Sequence, residues 1–212
     1  MKDAMKAMLN RWRRRLWHAL FYRMVFGERT AQGTLLAHTR VAPSTCIEGE
    51  AGLQLADHVF IGHFNFLDAT GGLRIDEGAQ ITNFVSIVTH SSHRAIRLMG
   101  RAYALHAGPA SARPGFIHAP VHIGAYAFIG PHSLIEAGSR IGKGAVVCAY
   151  AQVRGEVPDF AIVAGQPARV VGDVRTRDAE LLAQYPEMQG HYAAWAGALP
   201  SEPHAASPAQ PS

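Results

Sequence analysis

From Ile123 onward an aliphatic residue returns every sixth position, at Ile123, Ile129, Ile135, Ile141, Val147 and Val153, so the chain reads IGAYAF, IGPHSL, IEAGSR, IGKGAV, VCAYAQ, VRGEVP. The fifth position of each hexad is small, as Ala127, Ser133, Ser139, Ala145 and Ala151, until the pattern ends at Val157, and Gly124, Gly130 and Gly142 follow the aliphatic residue. A helix would scatter a six-residue period around its circumference. Each hexad is instead predicted to form a short strand and a turn, with the aliphatic side chain inward and the small residue admitting a corner. The same register runs earlier through Leu35, Val41 and Ile47, then Leu55, Ile61 and Leu67, then Ile75, Ile81 and Ile87, with two extra residues at each break. Three hexads per group predict a three-sided coil of about 18 to 20 residues, whose core is a column of aliphatic side chains.

After Ile87 the pattern stops, and a clear hexad returns only at Ile123. Residues 88–120 are therefore predicted to leave the coil as an excursion rich in Gly, Pro, Ala and His. Such a long excursion costs ordering entropy and adds little core, which points to function. His90 and His93 stand at its base, where a regular scaffold fixes them and the excursion can cover them.

The stretch MKAMLNRWRRRLWHALFYRMVFG places Met5, Met8, Leu9, Trp12, Leu16, Ala19 and Leu20 at helical spacing, with Arg11, Arg14 and Arg15 largely on another face. Arginines interrupt every apolar run, so it reads neither as a secretory signal nor as a membrane span. Such a helix either lies on anionic lipid or docks on its own domain or a sister subunit, and the expectation leans to docking. Towards the other end, TRDAELLAQY predicts a short helix capped by Thr176 or Asp178, stopped near Pro186 and covering the open end of the coil stack. The expected organisation is an amphipathic segment over 1–30, a coil domain over 31–172, a helical cap over 173–197 and a disordered tail over 198–212.

Composition adds bounds. The 212 residues, 48% hydrophobic and 17% charged, suit one globular domain rather than a membrane protein or a disordered chain. The first 30 residues carry eight basic and two acidic groups, a net +6 that leaves −2 on the remainder of a chain of net charge +4. The basic surplus thus belongs to one end, and no stacking motif or basic stripe argues for nucleic acid. Cys46 and Cys148, outside any CxxC or Cys/His zinc spacing, argue against a disulfide framework and fit a reducing cytoplasm.

With its hexads and the closing VPDFAIVAGQPARVV, the chain over roughly 35–172 resembles the hexapeptide-repeat acyltransferases, whose fold is a left-handed parallel β-helix, an all-β solenoid. VSIVTHSSHRAIRL resembles the branch that acetylates sugar and polysaccharide hydroxyls, in which a histidine before an extended loop is the general base. The resemblance implies direct acetyl transfer from acetyl-CoA, without a metal, in a homotrimer whose sites lie between subunits. Imidazole chemistry suits that task, since it accepts a hydroxyl proton near neutral pH, and the developing oxyanion needs a donor such as a backbone N–H.

Residue by residue, His93 is favoured narrowly as base, with His90 orienting it or contacting the acceptor. GHFNFLDATGG resembles the family segment whose Asn and Asp touch the sugar, which gives that role to Asn65 and Asp68. The alternative is that Asn65 caps a corner and Asp68 fills the slot after Leu67. Arg94, Arg97, Arg101 and Tyr103 offer charge and stacking to an anionic or lipid-linked acceptor. On the coenzyme side, Phe128, Pro131 and Ala149 stand at family groove positions and Arg169 matches the terminal arginine. Arg154 and Gly155 replace a frequent Thr-Lys pair, so Arg154 or Lys143 would take over that lysine's phosphate contact.

Two alternatives stay open: an N-acetyltransferase acting on a sugar nucleotide, and a zinc lyase of the γ-carbonic-anhydrase type on the same fold. The lyase would use the H-x4-H pair His58 and His63 with a third histidine, though His38 lies only one coil ahead. The reading favoured by the sequence is an O-acetyltransferase of surface polysaccharide or lipopolysaccharide assembly, cytoplasmic or peripheral at the inner face of the membrane.

Overall fold

A computed structural model of the chain describes residues 2–197. The hexads wind into a three-sided parallel coil. One face stacks Arg40–Val41, Phe60–Ile61, Gln80–Ile81, Phe128–Ile129 and Val146–Val147, and ends in the antiparallel pair Ala161–Gly165 and Ala168–Asp173. A second face stacks Cys46–Glu48, Phe66–Asp68, Ser86–Ile87, Leu134–Ile135 and Gln152–Val153. The third stacks Leu53–Leu55, Leu73–Ile75, Val121–Ile123, Arg140–Ile141 and Glu156–Val157.

The predicted aliphatic positions form the core. Ile61, Ile81 and Ile129 pair in register on the first face, Leu67, Ile87 and Ile135 on the second, and Ile75, Ile123 and Ile141 on the third, all buried. Burying each such side chain is worth about 1.5–3 kcal/mol, and the column makes that gain common to all coils. The small fifth residue is also buried, while the corner itself lies one position earlier. There the backbone is left-handed, at Tyr126, His132, Gly138, Gly144 and Tyr150 among others. Gly130 shows why the residue after the aliphatic is often glycine: a Cβ there would sit 2.6 Å from the backbone N of Ala149 in the next coil.

Four aromatic rings occupy successive left-handed positions at one corner and stack along the prism edge. Phe64 and Phe84 are 5.1 Å apart, Phe84 and His132 4.9 Å, and His132 and Tyr150 4.9 Å, all exposed to solvent.

The coil begins later than the hexad count implies. Leu35, expected inward, is exposed and pairs in a short antiparallel bridge with Arg29, while its neighbour Leu36 is buried. Before it runs α1 (Lys2–Trp17), continued by a π-helical turn at His18–Tyr22. No residue of α1 is buried, so docking on its own domain does not occur. Among the described residues no helix is long and apolar enough to cross a membrane.

The chain leaves the coil after Ile87 and rejoins it at Val121. Between them His90–Ser91 pairs antiparallel with Ile117–His118, and α2 (His93–Met99) and α3 (Ala102–Leu105) form the outer part. At the far end α4 (Val174–Gln184) is capped by Asp173, whose carboxylate accepts from the Arg175 N–H, rather than by Thr176 or Asp178. A turn at Pro186–Met188 leads into α5 (Gln189–Ala196), which brings Trp195 to 5.9 Å from Phe160 at the end of the coil. The expected tail over 198–212 lies outside the described residues.

Candidate active site

Ile87 ends its strand as a regular hexad would, and the corner residue should come three positions later, at His90. Here the chain runs outward instead of turning, and carries His90 into the two-stranded neck of the excursion. One coil below, Thr70 occupies the equivalent place, with its hydroxyl 3.2 Å from His90 Nδ1.

Asp68 lies beneath this neck, only 1% exposed. Its Oδ2 is 2.7 Å from His90 Nδ1 and accepts the Thr89 N–H at 2.8 Å. Its Oδ1 accepts from the Thr70 N–H at 2.9 Å and from the Thr70 hydroxyl at 2.5 Å. Burial alone would push the carboxyl up, but these hydrogen bonds outweigh it and hold Asp68 well below the usual carboxylate range. An ionised Asp68 accepts the Nδ1–H of a neutral His90, and that tautomer leaves Nε2 with its lone pair. The imidazole is partly open to solvent, and Phe116 from the returning strand stacks on it at 5.6 Å.

His93 differs. It opens α2, is exposed, and holds Nδ1 2.7 Å from the Ser91 hydroxyl. The carboxylate belongs to His90, whereas the sequence narrowly favoured His93 as the base.

Asn65 and Asp68, expected at the acceptor, are both buried. Asn65 is buried, donates to the carbonyls of Gly62 (2.9 Å) and Thr82 (2.7 Å), and accepts from the Val85 N–H (2.7 Å). It fills the fifth hexad slot that alanine or serine fills elsewhere and braces the corner. Asp68 is saturated by its bonds to Thr70, Thr89 and His90, so it positions the histidine.

Arg94 and Arg97 are exposed on α2, whereas Tyr103 packs under the Arg113 guanidinium at 4.3 Å. Thr70, Thr89 and Phe116 went unnoticed in the sequence. Thr70 was findable, lying two residues after Asp68 and twenty before His90; Phe116 was not, because no local pattern announces its antiparallel return.

Of the groove positions, Phe128 lies outward on the first face, and Pro131 and Ala149 sit at successive levels of the ring-bearing corner, where the Tyr150 N–H donates to the Pro131 carbonyl. Lys143 is committed elsewhere: its Nζ donates to the carbonyls of Trp195 (3.3 Å) and Ala196 (3.1 Å), the last turn of α5. Arg154 and Arg169 are exposed, and their guanidinium groups fit a phosphate-bearing coenzyme.

The histidines of the lyase alternative part company. His63 is buried, bonded through Nδ1 to the Ser44 hydroxyl at 2.8 Å and covered by the Tyr22 ring at 3.8 Å. His58 stacks instead on His38, 4.4 Å apart and 2° from parallel, beside Asp57. Parallel rings hold their lone pairs in parallel planes, a poor match to a tetrahedral ion, although the ligand atoms of His38, Asp57 and His58 lie within 4.8 Å of one another.

No family model matches the chain. A probable acetyltransferase of Mycobacterium tuberculosis is 44% identical over 57 residues, covering 27% of this chain and 19% of that protein. The galactoside O-acetyltransferase of Escherichia coli is 29% identical over 94 residues, 44% of this chain and 39% of that one. A Staphylococcus aureus 2,3,4,5-tetrahydropyridine-2,6-dicarboxylate N-acetyltransferase is 41% identical over 71 residues, 32% and 30%. The chain thus spans less than half the length of these curated relatives. An N-acyltransferase from Bacillus cereus, solved with dTDP and coenzyme A, shares the fold with a TM-score of 0.53 at 19% identity, over 70% of this chain and 88% of that one. The three-sided parallel coil is thus a fold that the chain shares with this acyltransferase, and stretches of its sequence are similar to acetyltransferases.

Proposed function

We propose that the protein transfers an acetyl group from acetyl-CoA to a sugar hydroxyl, with His90 as general base. The observation that carries this reading is the Asp68–His90 hydrogen bond at the neck of the excursion. Asp68 fixes the tautomer, His90 Nε2 takes the hydroxyl proton as the oxygen attacks the thioester carbonyl, and the protonated imidazole is stabilised by the carboxylate behind it. The proton then passes to the departing thiolate, so coenzyme A leaves as the thiol. Arg154 and Arg169 supply positive charge for the coenzyme phosphates, and Arg94 and Arg97 supply it for an anionic acceptor.

The galactoside relative, which has the longest of the sequence alignments above, supports an O-acetyl product, and the sequence resemblance implies a role in surface polysaccharide or lipopolysaccharide assembly, a left-handed coil and a trimer. Two unpaired thiols, Cys46 exposed, are in keeping with a cytoplasmic setting. Transfer to an amine, in the sequence alternative that of a sugar nucleotide, is the second reading, and the N-acetyltransferase alignment favours N-acetylation as such. The test is release of free thiol from acetyl-CoA against neutral sugars and amino-sugar nucleotides, with wild type and His90→Ala side by side. Turnover with a hydroxyl acceptor that His90→Ala loses is the expected result. Turnover with amines alone selects the second reading, and full activity of His90→Ala removes the proposed base.

A further inference from the structure

Among the described residues nothing covers the apolar side of α1. At 100° per residue Met5, Met8, Leu9, Trp12 and Leu16 fall within an arc of about 100°. All five side chains are exposed, Met8 at 70% and Trp12 at 59%. Arg15 and Arg11 flank this arc on one side, Arg13 and Lys6 flank it on the other, and Arg14 lies opposite. Leu20, Phe21, Val25 and Phe26 extend the exposed apolar surface towards the coil. The segment is fixed to the body below α1, where Tyr22 stacks on His63 at 3.8 Å and the Gly27 N–H donates to the Thr39 carbonyl.

We infer that α1 is a membrane-surface anchor that lies in the interface of an anionic bilayer. The flanking cations select this occupant. Arginine and lysine at both margins of a narrow apolar stripe meet lipid phosphates while the stripe enters the acyl boundary. A second copy of the helix on this stripe would set its basic flanks, Arg11 and Arg15 or Lys6 and Arg13, against basic flanks of the first. At about 24 Å long and interrupted by arginines, the helix lies on a bilayer rather than crossing it. The inference is independent of the acyl-transfer reading, because it needs neither His90 nor a substrate.

The test is co-sedimentation of the purified full chain with vesicles containing phosphatidylglycerol and, separately, with pure phosphatidylcholine vesicles. Binding at least about tenfold tighter to the anionic vesicles, weakened by salt and accompanied by a blue shift of tryptophan emission, is expected. The double variant Trp12→Glu, Leu16→Glu loses binding while its thermal midpoint stays that of wild type. The triple variant Arg13→Gln, Arg14→Gln, Arg15→Gln loses the preference for anionic lipid. Failure of the wild type to pellet with either vesicle, equal binding to both, or unchanged binding of the double variant overturns the inference. So does a lipid-free mass by light scattering that is larger for wild type than for the double variant, which assigns the stripe to a second copy.

Discussion

His90 and Phe116, twenty-six residues apart, lie ring on ring with centroids 5.6 Å apart and planes within 10°. The outgoing and returning strands of the excursion therefore close over the face of the imidazole, while Asp68 holds its Nδ1 edge from below. One ring nitrogen is committed and the other remains for a substrate.

That arrangement separates the two histidines kinetically. His90→Ala is expected to lower kcat by about 10²- to 10⁴-fold, the range of a lost general base. Asp68→Asn, which favours the wrong tautomer, is expected to cost about 100-fold or more in kcat with little change in KM. His93→Ala is expected to leave kcat nearly unchanged. Steady-state kinetics on the three variants decides between the histidines.

Asn65 tests the corner against the acceptor. Asn65→Ala leaves the Thr82 carbonyl and the Val85 N–H without partners inside the core, while the Gly62 carbonyl keeps the Thr45 hydroxyl. A loss of about 2–4 kcal/mol in denaturant unfolding is expected. A specific rise in acceptor KM at unchanged stability would return Asn65 to the role its sequence context suggested.

Lys143 and Arg154 make a contrasting pair. Lys143→Met removes the clasp on the end of α5 and is expected to cost about 1 kcal/mol of stability, with coenzyme affinity unaltered. Arg154→Ala is expected to weaken coenzyme binding about two- to fivefold at unchanged stability. Calorimetric titration and thermal unfolding of both variants check the assignment.

Asp68 also predicts an acid limb of stability. Its folded carboxyl is held below the ordinary value of 3.8, so on acidification the unfolded chain binds the proton first. The stabilisation is present in full above that value and is lost as pH falls towards the folded one. Thermal midpoints of wild type and Asp68→Asn, measured from neutral pH down to strongly acid solution, are expected to converge at the acid end. A constant difference would mean that Asp68 is not the group responsible.

Much of the architecture was legible because Ile61, Ile81, Ile129 and their like must all point inward at one fixed period, and nothing but a three-sided coil satisfies that. Leu35 misled for the same reason: it keeps the count but precedes the first coil, where no layer below forces it inward. The excursion was legible only as a gap. Asn65 and Asp68 drew attention by chemical type; the fifth hexad slot already marked Asn65 as interior, whereas Asp68 shares its register with the exposed Glu48 and owes its burial to the neck above it. Lys143 could not be judged at all from local sequence, since its partners Trp195 and Ala196 arrive fifty residues later.

Across the excursion the coil keeps its register: Ile75 pairs with Ile123, Ile81 with Ile129 and Ile87 with Ile135, as if the intervening turn were of ordinary length. The core thus records nothing of what is inserted after Ile87. Any insert whose ends meet the same two strand ends leaves every core isoleucine in place, and added length costs only slowly growing closure entropy. The excursion is in this sense an exchangeable cassette, and a lineage could revise what reaches His90 by rewriting residues 91–120 while the prism beneath is inherited intact.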